Sequence, residues 1–148
     1  MEHVSAPRHI DILLARYAES HRDRLNEKIH FMCIPAIVFS LLGLLWAIHP
    51  VAAILMAAGA LGYYFTLSRP FALGMAAMAA LMLAVLYLMP SGMVLPASIG
   101  IFVLAWMGQF VGHHIEGKKP SFFEDLRFLL IGPLFVLGCL YRRLGFAY

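Results

Sequence analysis

Four apolar runs of 17 to 20 residues follow one another with almost nothing between them: Cys33 to His49, Val51 to Leu67, Phe71 to Met89 and Met93 to Gly112. Crossing about 30 Å of hydrocarbon takes roughly 20 residues of helix, with about 17 a practical lower limit. Each run is therefore long enough to span a bilayer. Composition agrees, since 62% of the 148 residues are hydrophobic and 13% are charged, more apolar surface than a soluble domain of this size can bury. The predicted fold is an all-α integral membrane protein, one membrane domain over residues 1–148. It has four transmembrane helices, an N-terminal amphipathic segment over 1–32, and a short fifth apolar segment over 128–141. The fifth run has 14 residues and contains Gly132-Pro133, so it is expected either to be re-entrant or interfacial or to form a short fifth span.

Residues 1–30 hold five of the eleven Lys and Arg and five of the eight Asp and Glu. That mixture is too acidic for a signal or transit peptide. Cys33 and Cys139 lie in or beside apolar runs without CxxC spacing, and read as core thiols. The basic residues flank the runs and form no groove, which excludes nucleic acid as a partner and leaves membrane lipid.

The junctions His49-Pro50, Ser68-Arg69-Pro70 and Met89-Pro90-Ser91-Gly92 are short, so consecutive spans run antiparallel. With the N-terminus in the cytoplasm, nine of the eleven Lys and Arg fall inside and none outside, as the positive-inside rule requires, and Arg142 and Arg143 join them only if the fifth run returns to the same face. An inner-membrane protein of bacterial size is expected. The segment ending at His30 and the segment beginning at His113 then emerge on one face, over eighty residues apart in sequence.

On a helix at 100° per residue, Gln109, His113 and Glu116 fall on one face while His114 points away. Glu116 is the natural co-ligand or supporting carboxylate for His113. Gln109 lies one turn deeper, where a polar group faces a bundle interior or a cavity; an interhelical hydrogen bond and interfacial histidines account for the same residues. Gly108 and Gly112 form a GxxxG pair suited to close helix packing. His21 and His30 are nine residues apart and share a site only if the chain turns between them; Asn26 is the expected N-cap that supplies the break. A single surface helix bearing two unrelated histidines is the alternative. His49 reads as an outer turn residue, and His3 and His9 belong to the N-terminal end. Three histidines and a carboxylate suit one Fe(II) or a similar borderline metal, with positions left for dioxygen and substrate. GxSxG, P-loop and GxGxxG motifs are missing, so hydrolase and nucleotide chemistry have no support.

The pattern His21-x4-Asn26-x3-His30 with Pro35, then Gln109-x2-Gly112-His113-x2-Glu116-x3-Pro120, resembles a family of small membrane proteins. The family is named for the yeast protein that takes phytosphingosine to odd-numbered fatty acids. Phe122-Phe123-Glu124-Asp125-Leu126 and Gly132-Pro133-Leu134 extend the likeness over nearly the whole chain. The resemblance implies an Fe(II)-dependent dioxygenase of fatty-acid α-oxidation, which takes a 2-hydroxy fatty acid and dioxygen to the acid one carbon shorter and carbon dioxide. It implies His21, His30 and His113 as iron ligands, with Glu116 as a further candidate. Asn26, Gln109 and Lys118 stand as substrate or supporting residues. The competing reading is a small transporter or structural membrane protein with interfacial histidines. Chain length, oligomeric state and the number of metal ions are not fixed by these residues.

Overall fold

The computed structural model describes residues 7–123 and 127–148, the side chain of Phe122 excepted; His3 and the Glu124-Asp125-Leu126 stretch lie outside them. Six α-helices follow in order: α1 (His9–Ala18), α2 (Arg24–Ile48), α3 (Pro50–Leu67), α4 (Arg69–Leu88), α5 (Ser91–Glu116) and α6 (Phe128–Leu144). A 3₁₀ turn, Ser121–Phe123, precedes α6. Four of the helices, α2 to α5, are long and apolar enough to cross a membrane.

At the histidine end α2 begins nine residues before its apolar run and α5 continues four residues past its own, because the helical hydrogen-bond ladder continues after the apolar residues stop. The break between His21 and His30 is present but is made by a different residue. Asp23, not Asn26, caps α2, its side chain accepting from the backbone N–H of Leu25 at 2.7 Å and of Asn26 at 3.1 Å. A cap of this kind is worth about 1 kcal/mol. Asn26 lies inside the helix and is fully buried. At the other junctions His49 Nδ1 accepts from Val51 N–H at 3.2 Å, and Pro50 and Pro70 sit in the first turns of α3 and α4. Proline is tolerated there because it removes an N–H that has no intrahelical partner.

Alternation of direction brings the start of α2, the end of α3, the start of α4 and the end of α5 to one end of the bundle. α1 and α6 both pack at that end. α1 buries Ile10, Leu13, Leu14 and Tyr17, the i, i+3, i+4, i+7 stripe of an amphipathic helix, against Phe128, Ile131, Leu134 and Phe135 of α6. The last apolar run forms one unbroken helix through Gly132-Pro133, so the chain does not double back within it. It lies across the bundle end: Tyr64 OH donates to the Leu130 carbonyl at 3.0 Å and Tyr141 OH to the Pro70 carbonyl at 2.8 Å.

α2 and α5 are the most closely packed pair. A side-chain carbon on Gly112 would collide with the Asn26 carboxamide, and one on Gly108 would stand 2.6 Å from Cys33 Sγ. The GxxxG pair thus lets the two histidine-bearing helices approach. α3 and α4 pair with each other and lean on α2. An apolar cavity of about 460 Å³ remains between the two pairs.

Candidate metal centre

His21, His30 and His113 come from three different places in the chain and meet at the bundle end. One potential ligand nitrogen from each lies within 4.8 Å of the others. Ring centroids are 4.2 Å apart for His21 and His30, 4.7 Å for His30 and His113, and 5.0 Å for His21 and His113. All three are at most 5% exposed.

The backbone settles which nitrogen of two rings is free. His21 Nδ1 donates to the Tyr17 carbonyl at 2.8 Å, and His30 Nδ1 donates to the Asn26 carbonyl at 2.9 Å. A carbonyl can only accept, so the proton is on Nδ1 and the Nε2 lone pair is bare in both. This arrangement fixes tautomer and ring orientation in metal sites. His30 Nε2 is 3.0 Å from His113 Nε2, a separation at which facing lone pairs need a proton or a cation between them. His21 Nε2 and His113 Nδ1 are buried without a hydrogen-bond partner among the described residues. An unsatisfied polar atom in an apolar interior is costly, and a shared cation is the simplest relief for the His21 atom. The donor set fits a first-row metal such as iron, zinc or copper.

Tyr17 also stacks on the His21 ring, 4.2 Å between centroids and 9° from parallel. The sequence reading missed this residue, although its i−4 spacing from His21 was available as a signal. Burial depresses the His21 pKa below its ordinary 6.5, with the Tyr17 carbonyl opposing. The neutral ring, which is the ligand form, is therefore favoured.

Glu116 has other partners. Its carboxylate accepts from the backbone N–H of Arg22 at 2.9 Å and Asp23 at 2.7 Å, and from Asn26 Nδ2 at 3.1 Å. The three-member cluster does not include it. The carboxylate ties the end of α5 to the loop carrying His21 and to the first turn of α2, where negative charge also suits the helix dipole. Asn26 serves the same joint, its amide reaching the Ser20 carbonyl at 3.3 Å. Gln109 is buried on the cavity wall beside His30. Lys118 Nζ donates to the Glu19 carbonyl at 3.0 Å, pinning the loop rather than facing the cluster. The hydroxyls of Ser20 and Ser121 touch, a second tie that sequence spacing could not reveal because 101 positions separate them. His114 is exposed, as the helical geometry requires.

His30 and His113 also line the apolar cavity, together with Tyr17 and Gln109. On its other side His113 borders an open pocket rimmed by His114, Lys118 and Lys119. The cluster thus stands between a greasy chamber and a basic vestibule.

No curated protein and no solved structure matches the chain. A family model described as "2-hydroxy-palmitic acid dioxygenase Mpo1-like" matches residues 8–144. The chain belongs to this family, whose description names a dioxygenase acting on a hydroxylated fatty acid.

Proposed function

We propose that the protein is an iron-dependent 2-hydroxy fatty acid dioxygenase working at the cytoplasmic face of a bacterial inner membrane. The observation that carries this reading is the convergence of three buried imidazoles, two of them lining an apolar cavity, in a chain of that family. The overall change would be R–CH(OH)–COOH + O₂ → R–COOH + CO₂ + H₂O. The substrate gives up four electrons, dioxygen takes them, and the bond between the first and second carbons breaks. His21, His30 and His113 would hold the iron, which when bound supplies positions for dioxygen and for the substrate's hydroxyl and carboxylate.

The rest is work for the protein. Apolar side chains of α2, α3 and α4 hold the alkyl tail away from water, about 0.8 kcal/mol for each buried methylene. The Tyr17 and Asn26 carbonyls keep two imidazoles in the ligand tautomer. Gln109, beside His30, offers an amide to the polar end of the substrate. Lys118 and Lys119 rim the vestibule where an anionic headgroup is attracted. Glu116, Asn26 and Lys118 hold the His21 loop against α5. A transporter would need a polar path through the bundle, whereas the cavity's far end is packed with Leu42, Ala53, Ala57, Leu86 and Val94.

The test is direct. Detergent-purified protein, loaded anaerobically with Fe(II) and given a 2-hydroxy fatty acid under air, should release the acid one carbon shorter. Chelation should abolish the product and Fe(II) should restore it. Failure to turn over any 2-hydroxy fatty acid at full iron occupancy would defeat the proposal.

A further inference from the structure

The apolar cavity has a measurable depth. Its wall on α2 runs from His30 to Leu42 and on α5 from His113 to Phe102. At 1.5 Å per residue these stretches are about 18 Å and about 16 Å long, so two independent helices give nearly the same depth. Leu42 and Ala57 line the cavity and also belong to the buried cluster completed by Ala53, Leu86 and Val94, none of which lines it. These two residues are where open space gives way to packed side chains. The helices are sealed at the same level: a side-chain carbon on Gly43 would collide with Ser98 Oγ and lie 3.3 Å from Leu86, so nothing passes between α2 and α5.

We infer that Leu42 and Ala57 form the floor of an acyl-chain ruler that sets the longest substrate the protein accepts. The inference rests on the function proposed above and extends it to chain length. Carbon–carbon bonds of about 1.5 Å in an extended zigzag advance about 1.25 Å per carbon. A depth of about 16 to 18 Å therefore takes about 13 to 14 carbons beyond the histidines. With the carboxyl and hydroxyl-bearing carbons at the metal centre, the fitted substrate has about 15 to 16 carbons in all. Longer saturated chains must fold back or leave the tail outside.

Ala57 and Ala60 lie on successive turns of α3 and both face the cavity. They are about 4.5 Å apart along the axis, or some three to four carbons. Leucine at Ala57 should shorten the ruler slightly, and leucine at Ala60 should shorten it by about three carbons more. Leu42→Ala should lengthen it.

Binding tests this separately from turnover. Trp106 lines the cavity, so in a Trp46→Phe background its fluorescence reports occupancy by saturated 2-hydroxy acids of about 10 to 20 carbons. In the parent protein each added carbon should tighten binding roughly three- to fourfold, up to a break near 16 carbons. The break should move to shorter acids in the order Ala57→Leu, then Ala60→Leu, and to longer acids in Leu42→Ala. The two directions guard against a variant that merely misfolds. Affinity rising without a break, or a break at the same length in every variant, would overturn the ruler. A break in its expected place without turnover would leave the ruler standing and sink the dioxygenase reading. Turnover without a break would do the reverse.

Discussion

The two ends of the helical bundle share four long helices, with α1 and α6 added at one of them, yet they solve the problem of burial in opposite ways. The far end is closed by Leu42, Ala53, Ala57, Leu86 and Val94, and its histidine, His49, is exposed and caps α3. The other end buries His21, Asn26, His30, Gln109 and His113. Polar groups in a membrane protein interior are expensive, and toward the far end the described residues bury only the small hydroxyls of Ser40 and Ser98. What the difference teaches is that packing alone does not call for buried histidines in this bundle. His21 and His30 are ordered by the Tyr17 and Asn26 carbonyls, and one nitrogen from each of the three rings lies within 4.8 Å of the others.

The comparison can be broken most severely at the rings themselves. His21→Ala or His30→Ala should lower turnover at least about 1,000-fold and strip the metal, measured by product mass spectrometry and elemental analysis. His49→Ala, at the far end, should change neither. Next in size is the joint behind the ligands. Glu116→Ala frees the Arg22 and Asp23 amides and the Asn26 side chain, and should weaken metal affinity 10- to 100-fold. Glu116→Gln retains one good acceptor oxygen and should fall between wild type and alanine in a metal-competition titration.

Smaller effects sharpen the contrast through matched glycines. Gly112→Ala meets Asn26 at the histidine end and Gly43→Ala meets Ser98 at the far end. Each should destabilise by about 1–3 kcal/mol from overpacking, read as a lowered melting temperature in detergent. Only Gly112→Ala should also weaken metal binding. The smallest effect is in the pH dependence of the metal-free protein. Burial lowers the His21 pKa below 6.5, so below pH 6.5 the unfolded state takes up a proton that the folded state resists. The His21 contribution to stability is full above pH 6.5 and declines as pH falls toward the depressed folded value. His21→Phe should flatten that part of the melting-temperature profile.

Much of this was legible in the residues. Hydropathy and the short Pro-bearing junctions located the four spans, and antiparallel order put His30 and His113 at one end. Helical angles separated His113 from His114, because a 100° turn is a local property. Local rules failed where long-range partners decide. Asp23 and Asn26 are both good capping residues; burial of Asn26 against Gly112 and Glu116 left the cap to Asp23. Glu116 shares a helix face with His113, but backbone amides about ninety positions earlier claim its oxygens. The packing of α6 across the bundle end and the floor at Leu42 and Ala57 depend on contacts between helices, which periodicity within one helix does not encode.

The most direct test of the account is the metal content of protein purified after Fe(II) loading and desalting, with His113→Ala and His114→Ala treated alike. About one iron per chain is expected in the wild type and in His114→Ala, and almost none in His113→Ala. Equal iron in all three proteins, or none in the wild type, would contradict it.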